Sequence, residues 1–345
     1  MLYATTRSKH DVVTAHKAAH NDCYSDGGLF VPFRIPKLPK DQLEELAACG
    51  PAQVVADVMN LFFGCSLTAW DVELALGRRP VKTVALGRRL MCAELWHNAG
   101  DDVYYYVQRL SDRIRGGKKG EPPANWMHIA VRVSLLFASY TSLVATGAVR
   151  LHRVLDVAVT GGDFSMVMAA WYARQMGLPI GNIICGCNSN GGFWDLLNRG
   201  EFSTNQLVSR TMTAEADIAV PRNLECLINE TLGVEETKRY LLCCSRGRTY
   251  TLTEDALEKL SKGLFAAVIS DSRVTSIIPG VYRTRGYVLS PYAALAYGSL
   301  QDYRAMTGYT RPVLLLAENS PMRSRQMVCR LLQIEENQLP DLIGR

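Results

Sequence analysis

The stretch ELWHNAGDDVYYYVQRL, residues 94–110, sets Glu94, His97, Asp101, Asp102 and Tyr104 close together in the chain. Carboxylates, an imidazole and a phenol are the groups that general acid–base catalysis uses. Singly, such residues are more often solvated or structural than catalytic. The three consecutive tyrosines, Tyr104 to Tyr106, cannot act together on a helix, because neighbours there point about 100° apart. At most one faces a given pocket. Beyond them lies SDRIRGGKKG, whose Arg113, Arg115, Lys118 and Lys119 form the dense basic run of the chain. Its glycines make it a solvated loop rather than a phosphate track.

The elements that must position these groups fall into two patterns. Before residue 92 the sequence reads as short helices: DVVTAHKAAH, PKDQLEELAACG, GPAQVVADVMNLFFG, and SLTAWDVELALGRR with Ser66 as its N-cap. SDGGLFVPFRIPKLP interrupts them with turns and extended chain. From residue 125 onward NWMHIAVRVSLLFASYTSLVATGAV is apolar nearly all round, which predicts a buried helix. VLDVAV, a GGDFS loop, the helix MVMAAWYARQM and the strand NIICGC then form a strand–loop–helix–strand unit. LFAAVIS and RPVLLLA are further strands, and PRNLECLINETLG, SRVTSIIPGVYRT and PYAALAYGSLQDYRAM are further helices. This alternation predicts an α/β fold, a mostly parallel sheet with helices on both faces.

At 345 residues the chain can bury a large core. Its formal charge of +5 is small for that length and gives no nucleic-acid signature. The ten cysteines lack paired C-x-x-C spacing, which argues against zinc and for reduced, buried thiols. The opening MLYATTRSKHDVV has no signal-peptide character, and no apolar run is read as spanning a bilayer of ~20 residues. Cytoplasmic residence without a membrane partner is the expectation.

In this order, the segments resemble the threonine synthase family, pyridoxal-phosphate (PLP) enzymes of the tryptophan-synthase-β-like fold. LYATTR and SDGGLFVP are similar to the family's opening blocks. NWMHI resembles its Asn-Trp-x-Arg-Ile helix start, and GGDFSMVMAAWYARQMGLPI its phosphate loop and following helix. CNSNGGFWDLLNRGEF, VPRNLECL and GYVLSPYAALAYGSL resemble three more. The resemblance implies a PLP-dependent lyase that converts O-phosphohomoserine to threonine.

The departures fall on the site. The family's approach Glu-Leu-Phe-His leads to a lysine that holds the cofactor as an imine. Here Glu94-Leu95-Trp96-His97 leads to Tyr104 at that position, and a phenol cannot form an imine. Lys118 and Lys119 are the nearest lysines, in a run expected to be wet rather than a shaped pocket. Between the lysine position and Asn-Trp the family carries several strand–helix units, at ~30 residues each on the order of a hundred residues. This chain has only the short passage from Tyr104 to Asn125. The Gly-Asn-Phe-Gly-Asn loop has become Gly162-Asp163-Phe164-Ser165-Met166. Asp163 sets like charge beside a phosphate, and a positive φ at Ser165 would cost about 1 kcal/mol. Ser290-Pro291-Tyr292-Ala293-Ala294 replaces Asp-Pro-His-Thr-Ala, and Glu318-Asn319-Ser320-Pro321 replaces Thr-Ala-His-Pro.

The sequence therefore reads as a shortened, degenerate threonine synthase-like pseudoenzyme without a catalytic residue or metal and with its ancestral PLP lost. Its expected parts are an N-terminal domain (1–92), a remnant of the cofactor domain (93–124) and a large α/β domain (125–345). Gly161, Gly162, Asp163, Phe164 and Ser165 are the vestigial phosphate loop. Glu94, His97, Tyr104, Asn188, Asn190 and Glu318 are expected to line one remodelled pocket, open to a small metabolite or anion. The alternative is an active enzyme, a PLP-dependent lyase or altered chemistry using His97, Asp101, Asp102, Tyr104 and Glu318. Trp96, Val103 to Tyr106 and Leu110 form a tyrosine-rich patch that predicts a two-fold homodimer, unless the N-terminal helices cover it.

Overall fold

The computed structural model describes residues 1–97, 102–116 and 120–344. Asp101, Lys118 and Lys119 lie outside the described residues.

The chain begins with an antiparallel sheet in the order β2-β1-β3, formed by β1 (Leu2–Thr5), β2 (Ser8–Thr14) and β3 (Phe30–Pro32). DVV is thus strand rather than helix start. Val13 pairs with Tyr3 and Thr14 with Leu2, and the β-branched run suits that ladder. Thr14 then caps α1 (Ala15–His20) by accepting the Lys17 N–H. Three helices follow: α2 (Lys40–Ala48), α3 (Pro51–Phe63) and α4 (Ala69–Leu76). The cap of α4 is Thr68, not Ser66. Thr68 takes the Asp71 N–H, and the Asp71 carboxylate returns to the Thr68 N–H at 2.9 Å, a reciprocal box that only residue 68 can close.

The hairpin β4 (Lys82–Gly87) and β5 (Leu90–Glu94) leads toward α5 (Tyr104–Arg115) and the long α6 (Asn125–Ala145). α6 is long and apolar enough to cross a membrane, contrary to the sequence reading, but most of it is buried inside the body. Its flanks pack on α3 and on α7 (Ser165–Met176), which follows β6 (Leu155–Thr160). Next come β7 (Ile180–Cys187), α8 (Gly192–Arg199), β8 (Glu201–Ser203), α9 (Leu224–Leu232) and α10 (Val234–Ser245). The chain closes with β9 (Thr249–Thr251), α11 (Glu254–Ser261), β10 (Leu264–Val268), α12 (Asp271–Arg285), α13 (Pro291–Thr307), β11 (Val313–Ala317), α14 (Arg325–Leu332) and α15 (Leu339–Ile343).

The central sheet has six strands in the order β10-β7-β6-β11-β5-β4. The four strands expected from sequence are adjacent and parallel, and β5 extends the parallel set beyond them. β4 closes the edge antiparallel to β5. Residues 82–94 therefore belong to the α/β body, and the expected boundary at 92 falls inside β5. From β6 the chain steps outward to β7 and β10, while β11 lies on the other side of β6. The reversal between β6 and β11 opens a crevice at the carboxyl ends of these strands, the place where open α/β sheets bind ligands.

Side chains alternate across the sheet and build two cores. Met91, Ala93, Val157, Val159, Leu314 and Leu316 face one side, with α6 and α7. Leu90, Cys92, Ala158, Val313, Leu315 and Ala317 face the other, with α12 and α13. This parity decides which candidate residues meet.

Candidate functional site

β6 delivers Gly161–Ser165 to the head of α7. Asp163 folds back on that head: its Oδ1 accepts the Ser165 N–H at 3.0 Å and its Oδ2 the Ser165 hydroxyl at 2.6 Å. The backbone N–H that a helix N-terminus would offer to an anion is thus taken by the chain's own carboxylate. Gly162 has φ 48° and Phe164 φ 71°. The left-handed strain expected at Ser165 falls on Phe164, whose ring meets Phe193 edge-on at 4.5 Å. That contact secures a backbone conformation costing about 1 kcal/mol or more for a non-glycine residue. Asn223 clamps the loop, its Nδ2 donating to the Asp163 carbonyl and the Ser165 Oγ at 3.1 Å each. Asn125 Nδ2 donates in turn to Asn223 Oδ1 at 2.8 Å. Neither asparagine was singled out from sequence, although both lie in blocks, NWMHI and VPRNLECL, that carry the resemblance.

Tyr292, the second residue of α13, stands over the loop. The Thr160 hydroxyl donates to its carbonyl at 2.9 Å, and a Cβ on Gly162 would collide with its phenol oxygen. Burial, with Glu318 and Asp163 nearby, holds that phenol well above its usual range. Glu318 follows β11 and, by strand parity, points to the α6 side. There its Oε2 accepts from Arg132 Nε at 2.7 Å, with the two residues 4% and 8% exposed. Burial raises the Glu318 carboxyl and Arg132 opposes that rise.

Tyr104 opens α5 and is 45% exposed. Its N–H donates to Asp102 Oδ1 at 2.9 Å, and its ring tilts against His128 with centroids 5.5 Å apart. Asp102 is held by Arg323. Tyr104, Asp22, Asn125, His128, Asp163 and Arg222 line a cleft of about 470 Å³. Arg222 is committed to Asp22 through two parallel bonds of 3.0 and 2.5 Å. Burial, then the Arg132 charge, pushes the His128 imidazole down to about 4. The cleft therefore presents two carboxylates, one spent guanidinium, the His128 imidazole held neutral and, at its edge, His20, a set with more fixed negative than free positive charge.

The other expected members lie elsewhere. Glu94 occupies an even position of β5, so it faces the α12 side, away from Tyr104 and α6. Its cross-strand partner is Lys82, and its Oε2 lies 3.6 Å from Lys82 Nζ and 3.4 Å from His97 Nδ1. Asn188 and Asn190, beyond β7, both donate to Asp217 Oδ1 at 2.7 and 3.1 Å. They pin the segment from Ser209 to Asp217 and are not among the residues that line the cleft. One pocket in the sequence reading is thus three places in the structure.

The tyrosine-rich patch is also divided. Trp96, Val103, Tyr106 and Leu110 are buried within the chain, leaving Tyr104 and Tyr105 exposed. α1 and α4 pack against α5, as the alternative of intrachain cover expected. What the patch offers to a two-fold contact is thus reduced to Tyr104 and Tyr105.

One consequence concerns acid. The His128 value of about 4 lies below its ordinary 6.5, so on acidification the unfolded chain takes the proton first. The stability this represents is whole above the ordinary value and is lost as pH falls toward the folded one. The loss across that window should be about 3 kcal/mol. Asp163, Asp22 and Arg222 also face the ring and act through it in opposing directions. Urea unfolding of His128→Gln across that window should show a flatter pH slope than wild type. An unchanged slope would mean that His128 is not the responsible group.

Known proteins share parts of this sequence and its fold. Residues 2–76 match the Threonine synthase N terminus family. Threonine synthase-like 1 of Homo sapiens is 28% identical over 176 residues, covering 50% of this chain and 24% of that protein. Threonine synthase-like 2 of Rattus norvegicus is 27% identical over 174 residues, 50% of this chain and 36% of that protein. The match thus spans only about a quarter to a third of these relatives' length. In architecture, PLP-bound threonine synthase from Brucella melitensis superposes with a TM-score of 0.85 at 18% identity, covering 100% of this chain and 95% of that one. Threonine synthase from yeast gives 0.82 at 16%, covering 99% and 94%. The N-terminal match, the curated relatives and the shared fold point the same way: residues 2–76 carry the threonine synthase N-terminal block, and the whole chain has the fold of the threonine synthases it resembles.

Proposed function

We propose that this chain is a threonine synthase-like pseudoenzyme, a binding or assembly protein that has lost PLP and retains a ligand cleft. The observation that carries the reading is the head of α7, where Asp163 bonds to the Ser165 N–H at 3.0 Å. The residues present do not fit the cofactor. A phosphate in the loop would meet the Asp163 carboxylate and the Tyr292 phenol, and Tyr104 has no amine. Between Tyr104 and Asn125 the described chain holds α5 alone, which supports loss of most of the smaller cofactor domain. The charges around His128 favour a small neutral or cationic metabolite over an anion.

The second reading, an active PLP-dependent lyase, draws on the likeness to a PLP-bound threonine synthase at a TM-score of 0.85. Two measurements separate them. Purified protein mixed with pyridoxal phosphate should show no imine band that borohydride removes and no mass increment on any lysine peptide. It should also release no phosphate from O-phosphohomoserine. A stoichiometric increment on one lysine peptide together with phosphate release would establish the lyase instead.

A further inference from the structure

We infer that the cavity at the β4–β5 edge of the sheet is a second binding site, built for a small aliphatic α-amino acid. It stands apart from the Tyr104 cleft and does not rest on the reading above.

The cavity measures about 230 Å³, below the ~300–1,000 Å³ of drug-sized pockets, which limits it to a small metabolite. Among the described residues, two buried polar atoms on its walls make no hydrogen bond: Trp96 Nε1, on a residue 5% exposed, and Glu94 Oε2, on one 2% exposed, to which His97 Nδ1 comes no nearer than 3.4 Å. An unmade buried hydrogen bond costs roughly 1–3 kcal/mol, so two around one small cavity call for an occupant. The indole N–H needs an acceptor and the carboxylate oxygen needs a donor. Lys82 and Arg285 also line the cavity. Lys82 sits 3.6 Å from Glu94, an attraction beyond hydrogen-bond reach. Arg285 commits one nitrogen to the Leu86 carbonyl and has no ion pair among the described residues.

Three donors with two positive charges around one carboxylate match a ligand that is itself anionic at one end and donating at the other. An α-carboxylate satisfies Lys82, Arg285 and the Trp96 N–H, while the α-ammonium satisfies Glu94. Val84, Leu86, Leu342 and Ile343 complete the wall, an apolar surface for an aliphatic side chain.

Titration calorimetry tests this with three probes: L-valine, 3-methylbutanoate, which lacks the ammonium, and 2-methylpropylamine, which lacks the carboxylate. Valine should bind saturably at millimolar concentration or below, and each truncated probe about tenfold more weakly or worse. Trp96→Phe, which removes the indole N–H, and the isosteric Glu94→Gln should each weaken valine by about tenfold, with circular dichroism unchanged. Tyr104→Ala should leave valine binding as it is. Absence of saturable valine binding would mean the cavity holds only water and would overturn the proposal. Equal binding of 3-methylbutanoate and valine, or full affinity in Glu94→Gln, would overturn the amino-acid assignment.

Discussion

Glu318→Ala should destabilise the protein by about 3–5 kcal/mol, because it leaves the Arg132 charge buried without its partner. Both residues are almost inaccessible, 8% and 4% exposed, and the 2.7 Å bond between them joins α6 to the end of β11. Arg132 also donates to the His128 carbonyl at 3.1 Å, which cannot replace a carboxylate. The pair itself need contribute little net stability, since desolvation offsets most of the Coulomb gain. Arg132→Met combined with Glu318→Leu should therefore recover most of what Glu318→Ala loses. Guanidinium unfolding of Arg132→Met, Glu318→Leu and the pair measures the coupling directly. A single-variant loss below about 1 kcal/mol would show that water reaches Arg132 and that the crevice is wet there.

That pair also marks how far the sequence could be read. The four parallel strands were legible because each is a short apolar run bounded by turn residues and separated by helical spacing. β4 and β5 were not. Lys82–Gly87 alternates only weakly and Leu90–Glu94 is built of residues without strong strand preference, so pairing across the Gly87 turn, not propensity, makes them strands. β2 was hidden by its Lys9, His10 and Asp11, tolerated because that strand is the exposed edge of its sheet. At the site, the Gly161–Ser165 loop and its helix were plain from sequence, and so was the lack of an amine at Tyr104. The grouping of side chains was harder. Glu94 and His97 are close to Tyr104 in the chain, yet strand parity sends Glu94 through the sheet, whereas the same parity brings Glu318 to Arg132. The residues that clamp the loop, Asn125 and Asn223, are 98 positions apart, a distance that no local pattern spans.

Replacing Tyr104 by lysine should restore an amine without restoring the cofactor. In Tyr104→Lys the new side chain starts from the head of α5 beside His128, on the rim of the cleft that Asp163 also lines. An amine alone captures an aldehyde only if the rest of the molecule is held in place. A phosphate here would have to compete with Asp163, to which the Ser165 N–H and hydroxyl are bonded at 3.0 and 2.6 Å. Tyr292 stands over Gly162. A phosphate charge about 4 Å from Asp163 would be opposed by roughly 4 kcal/mol at an effective dielectric of 20. Tyr104→Lys treated with pyridoxal phosphate and borohydride should therefore yield no stoichiometric mass increment on the peptide carrying residue 104. Adding Asp163→Asn removes the opposing charge, and adding Tyr292→Ala opens the space over Gly162. The combined variant should acquire the increment on that peptide, and inorganic phosphate should compete with it. A full increment in Tyr104→Lys alone would show that the loop still accepts a phosphate, and the head of α7 would then be a working anion site despite its capping carboxylate.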